Sequence, residues 1–215
     1  MQIDNRIAGL RQVYQLKTLS KKDVLEDPFR QFDVWWQEAI ESKVYEPNAM
    51  TLATCNTEGR PSARTVLLKG IHENGFTFYT NYNSKKAEDL KQNPQASLLF
   101  FWKELERQIR IEGTVQKLSG EESDAYFASR PRQSQLGAWA SPQSKTIPSR
   151  KFLQDKEQQI EKEYADQQIP RPSFWGGYLL VPDRIEYWQG RPGRLHDRIL
   201  YSATHAGWKI ERLAP

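Results

Sequence analysis

The sequence predicts a mainly β fold with flanking helices, in which about eight antiparallel strands close into a barrel. Three observations lead there. From Ala49 onward apolar residues recur at every second position in short runs, the period of a half-buried strand. Successive runs are joined by short polar turns, among them Thr57-Glu-Gly-Arg60, Glu73-Asn-Gly75 and His205-Ala-Gly207. Few helical stretches lie between the runs, which favours a closed barrel over a doubly wound sheet, where a helix follows each strand.

Taken in order, 1–20 is polar with sparse apolar residues (Ile7, Leu10, Tyr14) and reads as a loosely attached helix ahead of a single domain at 21–215. Asp27-Pro28 supplies an N-cap with Pro at the first helical position. Phe29, Phe32, Trp35, Trp36, Ala39 and Ile40 follow at helical spacing, so a buried helix runs to about Lys43 with the Trp pair in the core. Runs at 49–56, 62–69 and 76–81 read as a three-stranded meander. A short helix at 84–92 ends at Asn93-Pro94, and strands resume at 96–102 and 107–118. Ser119-Gly-Glu-Glu122 is a capping box that opens the helix carrying Tyr126 and Arg130. The charged stretch 151–164, with only Phe152, Leu153, Ile160 and Tyr164 as an apolar stripe, is a mostly solvated helix. Strands at 177–181, 184–189, 198–203 and 208–213 complete the chain.

The 215 residues suit one domain with helical additions. Hydrophobic content is 38%, lean for that size, and seven Trp with nine each of Phe and Tyr shift the burial load onto aromatics, so part of the core is expected to be shared between subunits. The single Cys55 excludes an intramolecular disulfide and fits a reducing compartment. No apolar run reaches the ~18–20 residues of a membrane span, and no signal-peptide core is seen, so the expected location is cytoplasmic, away from membranes. The net charge of +4 arises from 31 basic residues interspersed with 27 acidic ones, which does not point to nucleic acid. Three His and one Cys, far apart, offer no metal-ligand spacing.

Glycine-rich nucleotide loops and the Gly-x-Ser-x-Gly elbow are missing, so any phosphate must be held by side chains. Arg64 and Lys69 bracket an apolar run; five apart in a regular strand, they face opposite ways unless the chain bulges or they serve different groups. Lys85 and Lys86 sit in the first turn of a short helix, where cations oppose the helix dipole and a bound anion would reverse the sign. Tyr126 and Arg130 share a helix face, and Pro131 turns the chain so that Arg132 and Ser134 approach from another direction, a set suited to a phosphate monoester. Near the C-terminus Arg194, His196 and Arg198 share a face if extended, which puts an imidazole between two guanidiniums and lowers its pKa; Asp197 points away as a structural ion-pair partner.

The motifs Arg64-Thr-Val-Leu-Leu-Lys69, Phe78-Tyr-Thr-Asn81, Ser84-Lys-Lys86, Leu105-Glu-Arg-Gln108, Ser129-Arg-Pro-Arg-Gln-Ser134, Ser173-Phe-Trp-Gly-Gly177, Trp188-Gln-Gly190, Arg194-Leu-His-Asp-Arg198 and Glu211-Arg-Leu-Ala-Pro215 resemble those of the pyridoxine/pyridoxamine 5′-phosphate oxidases, in order and over nearly the whole chain. The resemblance implies an FMN-binding split β-barrel, a homodimer with FMN across the interface, and oxidation of pyridoxine 5′-phosphate or pyridoxamine 5′-phosphate by O2 to pyridoxal 5′-phosphate, hydrogen peroxide and, from the amine, ammonia. By the same resemblance FMN meets Arg64, Thr65, Val66, Leu67, Leu68, Tyr79, Thr80, Lys85, Lys86, Gln108, Gln143, Ser144, Trp188 and Arg198. Substrate meets Lys69, Tyr126, Arg130 and Ser134 at its phosphate and Arg194, Leu195 and His196 near its ring, Arg194 and His196 being the catalytic pair, while Arg11 and Tyr14 belong to a flap. Two departures stand out: Lys85 replaces a frequent Arg, and Gln12-Val13 replaces the usual charged residues between the flap positions. The rival readings are a split-barrel flavoprotein with another substrate and a non-enzymatic carrier of FMN or pyridoxal phosphate.

Overall fold

A computed structural model describes residues 10, 12–72, 74–165 and 167–215. Arg11, Ile7 and the Glu73 corner of one expected turn lie outside the described residues. Nine strands and five helices are present among them: α1 Pro28–Glu41, β1 Ala49–Cys55, β2 Pro61–Leu67, β3 Gly70–His72, β4 Gly75–Asn81, α2 Lys85–Gln92, β5 Gln95–Trp102, β6 Arg107–Lys117, α3 Gly120–Ser129, α4 Arg132–Ala140, α5 Arg150–Glu163, β7 Trp175–Gln189, β8 Asp197–Thr204 and β9 Gly207–Leu213. The expected mainly β architecture is observed. None of these helices is long and apolar enough to cross a membrane. The chain divides into two compact units, one built from the residues up to Pro47, Leu99–Ile111 and Asp183–Pro215, the other from Asn48–Leu98 and Glu112–Pro182.

In the first unit α1 begins where the sequence says it should. The Asp27 carboxylate accepts from the Phe29 and Arg30 backbone N–H groups at 2.7 and 3.4 Å, and Pro28 supplies the first helical residue. The helix buries Phe32, Trp35 and Ala39, with Phe32 edge-on to Phe100 (5.3 Å) and Trp35 edge-on to Tyr187 (5.0 Å). Two buried phenols tie this aromatic core to the start of the helix and the segment before it: Tyr187 donates to the Pro28 carbonyl at 2.7 Å and Tyr201 to the Leu25 carbonyl at 2.6 Å. Removing the cap with Asp27→Ala should cost about 1 kcal/mol and lower the melting temperature by about 2–4 °C. A thermal melt superimposable on that of the parent protein would show that the cap contributes nothing.

The N-terminal segment differs from expectation. Its described part forms neither helix nor strand, because its backbone groups are taken by residues far away in sequence. The Glu106 carboxylate accepts from both Gln15 N–H (2.9 Å) and Leu16 N–H (3.0 Å), Asp197 accepts from Leu19 N–H (3.0 Å), and Arg212 donates to the Leu19 carbonyl (2.8 Å). Each bond removes a donor or acceptor that a helix would need. In the same unit the last part of β7 pairs antiparallel with β8, and β8 with β9.

The strands of the sheet run β2-β1-β5-β6-β7-β4-β3. The expected meander is broken: β1 and β2 form a hairpin, but β4 pairs with β3 and β7 instead of adding to β2. The short β3, unforeseen, turns the chain between them. The two expected strands at 177–181 and 184–189 are one continuous β7 that passes through Pro182. Gly113 of β6 makes room for it, since a Cβ there would stand 2.1 Å from the Val181 carbonyl oxygen and 2.7 Å from the Pro182 Cα. The capping box at Ser119 and Glu122 forms as expected. An unforeseen helix, α4, follows, and with α3 and α5 it encloses Phe127, Leu136, Ile169 and Trp175. α5 has no fully buried residue, in keeping with its charged sequence.

Candidate functional site

The second unit holds a cavity of about 330 Å³ lined by Arg64, Thr65, Val66, Leu67, Lys69, Tyr79, Thr80, Lys86, Tyr126, Arg130, Gln143 and Trp175. All but Trp175 are residues singled out from the sequence. Arg64 and Lys69 both reach it because Lys69 lies beyond the end of β2 at Leu67, so strand alternation no longer governs its direction. A neighbouring cavity of about 260 Å³ shares Arg130, Gln143 and Trp175 and adds Ser134, carried on α4.

One wall is aromatic. The Tyr79 and Tyr126 rings stack at 3.8 Å and 17°, Tyr79 stacks on Trp175 at 5.5 Å and 12°, and the Arg130 guanidinium lies 4.5 Å over the Trp175 ring. Arg130 is the C-cap of α3, with its Nη1 buried and without a hydrogen-bond partner among the described residues. A buried guanidinium N–H left without an acceptor is costly unless an anion completes it.

The other wall carries a second cation set. Lys86, in the first turn of α2, is buried, and its ammonium is held by three neutral oxygens: Thr80 Oγ1 (3.1 Å), Ser84 Oγ (3.2 Å) and Gln143 Oε1 (3.0 Å). Burial, and then the nearby Arg64 charge, bring its pKa down to about 8. Arg64 is half-buried and donates to Leu52 O, Thr54 Oγ1 and Ser62 Oγ at 3.0, 2.9 and 2.6 Å. Lys85 does not line this cavity and pairs with the buried Asp89. Leu68 is buried next to Arg64's strand without lining the cavity, and Ser144 is exposed with a left-handed backbone, φ +69°.

Arg132, grouped by sequence with the phosphate-binding set, has a different task. Its guanidinium donates to the carbonyls of Tyr164 (2.8 Å), Ala165 (3.0 Å) and Gln167 (3.1 Å), completing the C-terminal end of α5. Trp175, Thr54, Ser62 and Asp89 were not foreseen. Trp175 lay inside a recognised motif, and Asp89 stands four residues after Lys85 on one helix face, a signal that spacing alone could have raised.

The first unit gathers its own group. Tyr14 packs edge-on to Trp188 (5.8 Å) and His196 (5.9 Å), and Trp188 lies 4.5 Å from His196. Gly190 admits the Tyr14 ring, since a Cβ there would come within 2.7 Å of it. His196 Nδ1 accepts from the Arg191 backbone N–H at 3.1 Å, which leaves the ring proton on Nε2. Burial, and then the Arg194 charge, lower the His196 pKa and favour the neutral ring. The expected shared face is not formed, because Arg194 sits in a tight turn with φ +64° and β8 starts only at Asp197. Arg198 instead donates through two nitrogens to Glu186 at 2.8 and 3.0 Å. Asp197 pairs with Arg212 at 2.6 Å and Arg191 at 3.4 Å, as its expected structural role requires. Leu195 is exposed and Gln108 half-buried on β6.

Comparison with known proteins adds the following. Residues 36–164 match the family model described as pyridoxamine 5′-phosphate oxidase, and residues 175–215 match that of the pyridoxine 5′-phosphate oxidase C-terminal dimerisation region. The pyridoxine/pyridoxamine 5′-phosphate oxidase of Paraburkholderia phytofirmans is 57% identical over 211 residues, covering 97% of this chain and 99% of the relative. That of Salinibacter ruber is 55% identical over 214 residues, 98% of this chain and all (100%) of the relative. Among solved structures, PhzG from Burkholderia lata, crystallised with tetrahydrophenazine-1-carboxylic acid, superimposes with a TM-score of 0.87 at 30% identity over 93% of this chain and 99% of its own. A pyridoxamine 5′-phosphate oxidase-related, FMN-binding protein from Nostoc punctiforme gives 0.69 at 20% identity over 86% and 97% of the two chains, a likeness of fold.

Proposed function

The chain belongs to the pyridoxamine 5′-phosphate oxidase family, with its split-barrel fold, and from that premise we propose that it oxidises pyridoxine 5′-phosphate or pyridoxamine 5′-phosphate by O2 to pyridoxal 5′-phosphate, releasing hydrogen peroxide and, from the amine, ammonia. The observation that carries the reading is the pair of cation sets lining one cavity. Among the described residues Lys86 is met only by neutral oxygens and Arg130 keeps a buried N–H without an acceptor, so both suit phosphate oxygens. Two phosphorylated ligands need two such sets.

We assign Arg64, Lys85, Lys86, Thr80 and Ser144 to the phosphate end of FMN, and the backbone of Thr65, Val66, Leu67 and Leu68 with Tyr79, Gln108, Gln143, Trp188 and Arg198 to the rest of it. Bound there, FMN supplies two-electron redox chemistry between the substrate C4′ and O2. Lys69, Tyr126, Arg130 and Ser134 hold the substrate phosphate, and Arg194, Leu195, His196, Tyr14 and Arg11 enclose its ring. The neutral His196, with its proton on Nε2, donates a hydrogen bond to the substrate while Arg194 aligns the ring. The matched dimerisation region supports a homodimer, and the proposal sets the cofactor at its subunit interface.

The similarity to PhzG favours a second reading, in which the substrate is a tricyclic carboxylic acid without phosphate. Oxygen uptake by the FMN-loaded protein on pyridoxamine 5′-phosphate and on a reduced phenazine carboxylic acid separates the two. Turnover on the phenazine alone would overturn the proposal. Arg194→Ala should lower turnover on pyridoxamine 5′-phosphate by about tenfold at unchanged flavin content. The reverse pattern, lost flavin with normal turnover per flavin, would move Arg194 to the cofactor.

A further inference from the structure

We propose that Asp89 is a positioning residue for the cofactor-phosphate pocket, where it fixes the direction of two hydroxyls and through them the aim of the Arg64 guanidinium. The inference rests on the reading that Arg64 meets the FMN phosphate. Asp89 is 1% exposed on α2. Its Oδ2 accepts from Thr54 Oγ1 at 2.8 Å and from Ser62 Oγ at 2.9 Å, and its Oδ1 accepts from Lys85 Nζ. Thr54 and Ser62 are direct cross-strand partners on β1 and β2, and Arg64, two residues beyond Ser62, shares their face.

A guanidinium only donates, a carboxylate only accepts, and a hydroxyl has a single proton. Thr54 and Ser62 accept from Arg64 with their lone pairs, so their protons go to Asp89. Thr54 Oγ1 and Ser62 Oγ also lie 3.2 Å apart, but a proton spent on that contact would leave a bare oxygen facing the carboxylate at 2.8 or 2.9 Å, so one polarity satisfies the whole network. Three of the five Arg64 N–H groups are thereby committed, with the Leu52 carbonyl taking the third. The Nε–H and the second Nη2–H carry no bond among the described residues, and they are the side of the fork that binds two oxygens of one phosphate. Asp89 remains ionised in its buried place: burial works to raise its pKa, and the bonds from Lys85, Thr54 and Ser62 outweigh that and lower it.

An amide of the same shape cannot do this. With its oxygen toward the hydroxyls, Asn would turn its NH2 against the Lys85 ammonium, donor to donor. With the NH2 toward the hydroxyls, it would compete with Arg64 for their lone pairs. No sequence motif marks Asp89 for this role; it follows from which atoms can give protons and which can only take them.

The test is titration of the apoprotein with FMN, followed by flavin fluorescence. Asp89→Asn should weaken binding on the order of tenfold when Arg64 is present. In an Arg64→Ala background the same change should cost under about threefold, the remainder acting through Lys85. Unchanged affinity in the first case, or an equal loss in both, would overturn the inference, because a purely structural carboxylate would weaken both proteins alike. Ser62→Ala, which spares the carboxylate and removes one hydroxyl, must show the same dependence on Arg64, and it decides the matter if Asp89→Asn does not fold. Parent apoprotein that binds no FMN would instead sink the functional reading, and the inference with it.

Discussion

Replacing Arg130 with alanine should raise the Michaelis constant for pyridoxamine 5′-phosphate on the order of a hundredfold or more, with flavin content unchanged. The size follows from what the side chain does. It lies over Trp175 with a buried N–H that has no acceptor among the described residues, so a phosphate oxygen would complete a bond that none of them supplies. Burial lowers its pKa while the facing Tyr126 opposes that, yet a guanidinium stays charged throughout the working range. Arg130→Lys should recover part of the loss, since it restores charge without the two-pronged geometry. Steady-state kinetics with pyridoxamine phosphate and with unphosphorylated pyridoxamine provides the check. If the variant loses the same factor on both substrates, Arg130 does not meet the phosphate.

The second large effect is expected from Lys86→Met, which keeps the apolar stem and removes the charge. FMN affinity should fall on the order of ten- to a hundredfold. The apoprotein should nevertheless be no less stable. With its folded pKa brought to about 8 from an ordinary 10.5, Lys86 binds fewer protons in the folded than in the unfolded protein between those values. Its burial therefore opposes folding in full below about pH 8, and that opposition is relieved as pH rises toward 10.5. Methionine escapes it at every pH. The same shift predicts that FMN binding to the parent apoprotein, steady near pH 7 where the phosphate is already doubly charged, weakens as pH rises past about 8. Titrations from pH 7 to 9.5 check this, and an Arg64→Ala protein, which still has Lys86 but lacks the second cause of its lowered pKa, should show the same weakening moved to higher pH. A flat profile in the parent protein would show that Lys86 does not face the anion.

Features decided by neighbours in the chain were legible from the sequence. Asp27-Pro28 and Ser119 with Glu122 act within one helical turn, and both caps form. The cavity's cations were legible too, because residues that violate local preference, such as Lys86 in a first helical turn, stand out without a fold. What escaped was decided by distant partners. The described part of the N-terminal segment is not helical because Glu106, about ninety positions away, takes the Gln15 and Leu16 amides. β7 continues through Pro182 because Gly113 offers no side chain to obstruct it. Arg132 resembled a phosphate ligand until α5 ended beside it, presenting three carbonyls. α4 was hidden by Gly137 and a polar run with few apolar positions to set a period.

The grip of Glu106 on the segment around Tyr14 has an evolutionary corollary. A carboxylate that seizes peptide amides reads no side chains, so Val13 and Leu16, 68% and 57% exposed, can be exchanged without loosening this grip. Tyr14 is under the opposite regime, its ring fitted above a bare glycine. The Gln12-Val13 pair, uncharged where the family usually carries charge, is the kind of change such an arrangement tolerates.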